Sequence, residues 1–260
     1  MLAIGASELE LWQPDTAPSN PAGAGMVSAG IAGAGLVAAH LERYGEGLMF
    51  AGYATSRMAA LTQRLTTAGT PFAGENGRIF IAAETTFGFP MTVSIWQVRP
   101  RVGPLSCFYE ATNSLQTDWR IVARRYAELF GLDESRFAPI ASAAFGYEGT
   151  LTMFDPAKRL DRIELSQTFA GKPGSMRKFV ERRGGDSFYM CFAEVEDFEG
   201  LRDHLLAAGA TLTGRSGDAA KERDTMWVHP KNLHGMLLGI SRTGFAWDWS
   251  GQPERVPALA

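Results

Sequence analysis

An internal repeat is the feature that most narrows what this chain can fold into. Leu9-Glu10-Leu11-Trp12-Gln13 and Ile163-Glu164-Leu165-Ser166-Gln167 each set one glutamate in an apolar strand frame. Each is followed by a linker and then by a helix-like end: His40-Leu41-Glu42-Arg43-Tyr44-Gly45 in one case, Phe179-Val180-Glu181-Arg182-Arg183-Gly184 in the other. A strand, a helix and a glycine recur after that, with Gly69 24 residues beyond Gly45 and Gly209 25 beyond Gly184. From glutamate to the first glycine the spacing is 35 residues in the first copy and 20 in the second. The extra 15 fall in a Gly/Ala-rich stretch. One match could be chance, but the shared order of elements argues for duplication.

Hydrophobic periodicity fills in the remaining elements. Strands are expected over Glu8–Gln13, Leu48–Thr55, Arg78–Ala83, Pro90–Gln97, Leu105–Leu115, Phe145–Phe154, Asp161–Gln167, Ser187–Val195, Thr225–His229 and Gly235–Ser241. Helices are expected over Met26–Glu42, Met58–Thr67, Trp119–Phe130, Met176–Arg183 and Phe198–Ala208. Asp118 is an N-cap for the third of these, and Gly69, Gly131 and Gly209 are stops. Arg99–Pro104 is the best boundary in the chain.

With 45% hydrophobic and 20% charged residues the chain can bury a sizeable core, and a net charge of −3 offers no basic surface for nucleic acid or anionic membrane. Cys107 and Cys191 lie in apolar runs without a CxxC pair, so buried inert thiols and a cytoplasmic setting are expected. No basic region followed by an apolar core opens the chain, so no signal peptide is expected. Ala22–Ala39 is uncharged but rich in Gly and Ala, and reads as an insertion or packed helix. Gly33-Ala34-Gly35-Leu36-Val37-Ala38 fits the G-x-G-x-x-A spacing but lacks the preceding strand and the following acid that nucleotide binding needs.

The order strand–helix–strand–strand–strand, closed by a strand of Ile-Glu-Leu type, resembles the βαβββ module of the vicinal oxygen chelate superfamily of glyoxalases, bleomycin-resistance proteins and extradiol dioxygenases. The stretch IELSQTFAGKPGSMRKFVERRGGDSFYMCFAEVEDFEGLRDHLLAAGATL through MWVHPKNLHGMLLGI is similar to the junction of two modules in the epimerase and glyoxalase branch. TDWRIVARRYAELFGL looks like the Asp-capped first helix of a module. The resemblance implies an α+β fold of paired modules whose curved mixed sheets surround a cavity. Residues 105–245 would be a complete pair and 246–260 a tail. Residues 1–98 would be a pair lacking most of its first module, completed by a neighbouring chain or left with an open sheet edge.

The resemblance also implies metal ligands, typically His and Glu, on the first and last strand of each module. Carried over by position, Glu164 stands in one such place and Glu110 in another. Met190 (or Tyr189) replaces a histidine, and Gly239 replaces a glutamate. In the N-terminal half Glu10 is kept, Phe50 (or Met49) replaces a histidine, and Ser94 replaces a glutamate. In the C-terminal pair two carboxylates at most remain where four ligands are usual, so extradiol cleavage is disfavoured. A divalent metal (Fe, Mn, Co, Ni or Zn) and a metal-free site are expected equally. Alternation sends Glu164 to the opposite face from Ile163 and Leu165, where burial would make it an acid or base; pairing with Arg162 or Arg159 at a surface is the plainer reading. Tyr109, Tyr147, Tyr189, Met190, His229 and His234 are the other candidate ligand contacts, against core, turn or strand-capping roles. The expected activity is on a small organic molecule, either as an isomerase or lyase using glutamate acid–base chemistry or as a metal-free binder of resistance type. A homodimer is the expected macromolecular partner.

Overall fold

A computed structural model describes residues 2–4, 6–13, 34–75, 77–171, 174–213 and 224–258. Part of the G-x-G-x-x-A stretch and the N-terminal part of the helix expected at 26–42 lie outside these. Among the described residues, no helix is long and apolar enough to cross a membrane.

The expected alternating run at 8–13 forms less strand than its pattern suggests. β1 (Leu2–Ile4) and β2 (Ser7–Leu9) make an antiparallel hairpin, while residues 10–13 join no ladder. Their side chains find partners instead: Trp12 lies against Phe50 and Phe80, and Glu10 pairs with Arg78. Helix α1 (Ala34–Tyr44) follows.

Three successive segments then repeat one topology. The first holds β3 (Ala51–Thr55), α2 (Met58–Thr67), β4 (Phe72–Glu75), β5 (Arg78–Ile81) and β6 (Met91–Ile95). The second holds β7 (Leu105–Leu115), α3 (Trp119–Phe130), β8 (Ala138–Ser142), β9 (Tyr147–Met153) and β10 (Arg162–Thr168). Helix α4 (Ser175–Arg183) leads into the third: β11 (Ser187–Val195), α5 (Phe198–Ala207), β12 (Leu212–Thr213), β13 (Thr225–Val228) and β14 (Leu237–Arg242). In each, the first strand pairs parallel with the last, and the others add antiparallel outward. The spatial orders are β3-β6-β5-β4, β7-β10-β9-β8 and β11-β14-β13-β12. β7 and β11 pair antiparallel and fuse the second and third segments into one eight-stranded sheet. The first segment forms a separate four-stranded sheet.

Local chemistry sets the helix ends. Asp118 accepts from the backbone N–H of Arg120 at 2.9 Å, and Gly131 closes α3 in the left-handed conformation at φ 67°. Alternation sorts the sheet faces. On one face Ala111, Ile163 and Leu165 meet Val122 and Tyr126 of α3 and, in the same cluster, Ile79, Met91 and Phe89 of the smaller sheet's segment. A second cluster puts Ala193, Val195, Leu238 and Ile240 against Phe198 and Leu201 of α5. The helices α2, α3 and α5 thus cover outer faces, leaving the inner face of the eight-stranded sheet to a different set of residues.

Candidate functional site

The β7–β10 register places Arg162 beside Glu110 and Glu164 beside Thr112. All four, with Ser166, project from the inner face, because Ala111, Ile163 and Leu165 take the outer one. On β11, Met190 lies opposite Thr112 and Phe192 opposite Glu110; on β14, Gly239 lies opposite Phe192. The four positions carried over for metal ligands (Glu110, Glu164, Met190 and Gly239) therefore share one face of four adjacent strands.

What occupies that face is an ion pair. Arg162 is 0% exposed and Glu110 4%. The Arg162 Nε donates to Glu110 Oε2 at 2.7 Å, and Nη1 donates to the Ser250 hydroxyl at 3.0 Å. The guanidinium lies 4.8 Å from the ring centre of Tyr109, whose hydroxyl is 3.0 Å from that of Ser241. Tyr109 is placed there by an irregularity in the β7–β11 ladder, where Phe192 faces Glu110 and Ala193 faces Phe108. The reading that paired Arg162 with Glu164 at a sheet surface is corrected: its partner is Glu110, and the pair is buried.

Glu164 is 8% exposed. The Thr112 hydroxyl donates to it at 3.2 Å, and the Ser166 hydroxyl donates to its other oxygen. Burial pushes its carboxyl well above the usual range, and the negative charge of Glu110 pushes it further. Glu164 thus favours its protonated form, beside an acid that is ion-paired to Arg162. Burial also raises Asp161 and Glu194, the latter accepting from the Gly244 N–H at 2.7 Å.

These residues do not fit the divalent metal that the resemblance implies. Glu110 is committed to a guanidinium, and a cation would meet that positive charge. A Cβ on Gly239 would stand 2.2 Å from Cε1 of Phe192, so a ligand side chain there needs the ring to move. Met190 offers a thioether, a poor match for a hard oxygen-rich site. Among the described residues no three His, Cys, Asp or Glu side chains group to hold a metal ion.

The other candidates divide. Tyr109, Met190 and Phe192 lie in one buried cluster with Leu151, Met153 and Trp247, and Tyr189 packs at its border with its ring 4.9 Å from Phe179. Tyr147 is half-buried at the start of β9, in register with Ser142 and Thr168. The two histidines belong to the turn before β14 and lie apart from the buried face. His229 is exposed and its Nδ1 accepts from the Lys231 N–H at 3.1 Å; His234 is exposed, has φ 46°, and pairs with Glu46 at 2.9 Å. In the smaller sheet Arg78 holds Glu10 at 2.9 Å and keeps its carboxyl below the usual range. Ser94, in register with Arg78, bonds to the Tyr53 carbonyl at 3.4 Å. Phe50 lies 6.1 Å from Phe80 and 5.7 Å from Trp12, ring centre to ring centre. No group of three His, Cys, Asp or Glu side chains stands in that half among the described residues either.

Two residues that matter were absent from the candidates. Arg162 carried a signal, since it precedes Glu164 by two positions and so shares its face. Ser250 carried none, because it lies in a 3₁₀ turn (Phe245–Ser250) far along the chain. Two surface clefts, of about 340 and 230 Å³, are lined by α3 with the segment before β8 and by α2 with Glu128; neither includes Glu110 or Glu164.

No family model matches the chain, and no curated protein matches its sequence. Solved structures do. A triple mutant of 4-hydroxymandelate synthase from Streptomyces coelicolor is 14% identical over 87% of this chain and 74% of its own, with a TM-score of 0.62. Methylmalonyl-CoA epimerase from Mycobacterium tuberculosis is 17% identical over 54% of this chain and 90% of its own, with a TM-score of 0.45. The synthase likeness spans both sheets, and it agrees with the thrice-repeated strand order: the chain has the vicinal oxygen chelate fold.

Proposed function

We propose that this is a small-molecule protein of glyoxalase-like type whose chemistry is metal-free and centred on Glu110, Glu164 and Arg162. The observation that carries the reading is the placement of two acids and one arginine side by side on a single buried face. One group can give a proton while the other accepts one, which is what an isomerase or lyase working beside a carbonyl needs. Arg162 supplies a positive charge 2.7 Å from Glu110 on a face that holds two acids. Thr112 and Ser166 fix the Glu164 carboxyl by hydrogen bonds to both oxygens.

The test is hydrogen exchange into carbon acids. A panel of 2-oxo acids in D₂O, followed by proton NMR, is expected to show enzyme-dependent loss of the α-hydrogen signal. Glu164→Gln should reduce that rate by about 10²-fold or more, the usual range for a lost acid–base group. Metal analysis of the purified protein should find no stoichiometric transition metal. A stoichiometric metal would overturn the metal-free reading. Absence of exchange across the panel would favour the second reading, a binder of hydrophobic or aromatic compounds, which draws support from the aromatic packing of Phe192, Trp227 and Trp249 on the same face.

A further inference from the structure

The inner face of the eight-stranded sheet is covered by the chain's own C-terminal segment. The turn Phe245–Ser250 touches both β14 and β8, bridging strands from the two halves of the sheet. Ala246 and Trp247 are buried in the cluster that includes Tyr109, Met190 and Phe192, and Trp249 sits 5.7 Å from Phe192, ring centre to ring centre. Outside this face the cover is held by a few polar ties. Arg242 donates to the Pro257 carbonyl at 2.9 Å, and Arg255 donates to the Pro156 carbonyl at 2.6 Å while stacking on Trp247.

Beneath the cover Arg162 is incompletely paired. Its Nε side meets Glu110. Its Nη1 meets, among the described residues, the Ser250 hydroxyl and, at 3.4 Å, the Leu160 carbonyl. Its Nη2 is fully buried and has no hydrogen-bond partner among the described residues. An unpartnered donor on a buried cation is costly, and a guanidinium edge is shaped for two parallel bonds to a carboxylate. Ser250 supplies one neutral oxygen where two charged ones would fit.

We propose that this face binds a planar aromatic carboxylate, which takes the Nη1–Nη2 edge of Arg162 in place of Ser250 and displaces the C-terminal segment, its ring replacing Trp249 against Phe192. The inference rests on the small-molecule reading above and names the ligand class. The segment then acts as a stand-in for the ligand: a hydroxyl for the carboxylate and an indole for the ring.

The experiment titrates the full chain with benzoate and with benzamide, its neutral isostere, by calorimetry. Amide hydrogen exchange over residues 245–258 is followed in parallel. Benzoate is expected to bind at least tenfold more tightly than benzamide and to raise exchange across 245–258. Ser250→Ala, which removes the competing oxygen, should tighten benzoate binding severalfold. Arg162→Lys keeps the charge but loses the fork, and should weaken benzoate at least tenfold with an unchanged circular dichroism spectrum. Equal affinity for benzoate and benzamide, or unchanged exchange over 245–258 at saturation, would overturn the proposal. So would a Ser250→Ala chain that binds benzoate no better than the parent. A chain that exchanges 2-oxo acid hydrogens yet fails to discriminate benzoate loses this inference alone.

Discussion

At the scale of single residues, the buried pair and its neighbouring acid make separable predictions. Removing one partner of a buried ion pair strands the other charge, at a cost of about 3–5 kcal/mol. Arg162→Met should therefore destabilise strongly in urea denaturation, and Arg162→Met with Glu110→Leu should recover most of that loss. A double variant as unstable as the single one would mean that the pair is not the dominant interaction. Glu164 gives a pH signature. Its folded-state pKa stands above the unfolded value near 4.5, so the folded chain holds the proton more tightly. The contribution of that proton is fully present below about pH 4.5 and is lost as pH climbs toward the folded value. Glu164→Gln should thus gain on the parent as pH rises from 5 to 8, read from urea midpoints; parallel profiles would contradict a neutral Glu164. Sequence alternation revealed the face on which these groups lie, because Arg162, Glu164 and Ser166 are two apart. It could not reveal which acid Arg162 would choose, since that depends on the parallel β7–β10 register, a contact across 52 positions.

At the scale of elements, strong patterns became structure and weak ones did not announce themselves. Met58–Thr67, Trp119–Phe130, Leu105–Leu115 and Ser187–Val195 have the bounds that periodicity and caps suggest. Of the four strands that went unread, β1 belongs to the N-terminal hairpin, and β4, β8 and β12 occupy the same place in each repeat, at a sheet edge. Phe72–Glu75 contains a glycine, Ala138–Ser142 a proline, and Leu212–Thr213 is only two residues. Edge strands tolerate such sequences because one side needs no ladder partner, and the neighbouring strand supplies their order. A subtler repeat lies in the turn between third and fourth strands. Phe87-Gly88 and His234-Gly235 both have two successive positive φ values after a 3₁₀ turn. The glycines approach other backbone closely: a Cβ at Gly88 would stand 1.6 Å from the Asp186 carbonyl oxygen, and one at Gly235 2.1 Å from that of Glu46. Gly209 also has positive φ, but nothing lies within 4 Å of its would-be Cβ. Gly209→Ala should cost only the left-handed penalty of about 1–2 kcal/mol. Gly88→Ala should cost clearly more, because backbone has to shift. Equal losses in thermal unfolding would show that the turn yields easily.

At the scale of the molecule, the cluster beneath the outer faces belongs to both sheets. Phe89 precedes β6 of the four-stranded sheet, yet its ring lies 4.9 Å from Phe188 of β11 and 6.5 Å from Tyr126 of α3, centre to centre. Tyr126 in turn donates to the Thr86 carbonyl at 2.7 Å and accepts from Asn113 at 3.2 Å, tying α3 and β7 to the turn before β6. Phe89 is fully buried, and truncating a buried phenylalanine costs about 3–5 kcal/mol. If the two sheets are stabilised independently, Phe89→Ala should loosen β5 and β6 and leave β11 and α3 as protected as before. The shared cluster argues otherwise, because the cavity would open against residues of both sheets. We therefore expect native-state amide exchange in Phe89→Ala to speed up together in β5, β6, α3 and the first half of β11, with little change in β9 and β13, which contribute no residue to that cluster. Loss of protection confined to β4–β6 would separate the sheets into independent units. The joint response would show that the inner face, where Glu110 and Arg162 sit, is braced from behind by the smaller sheet.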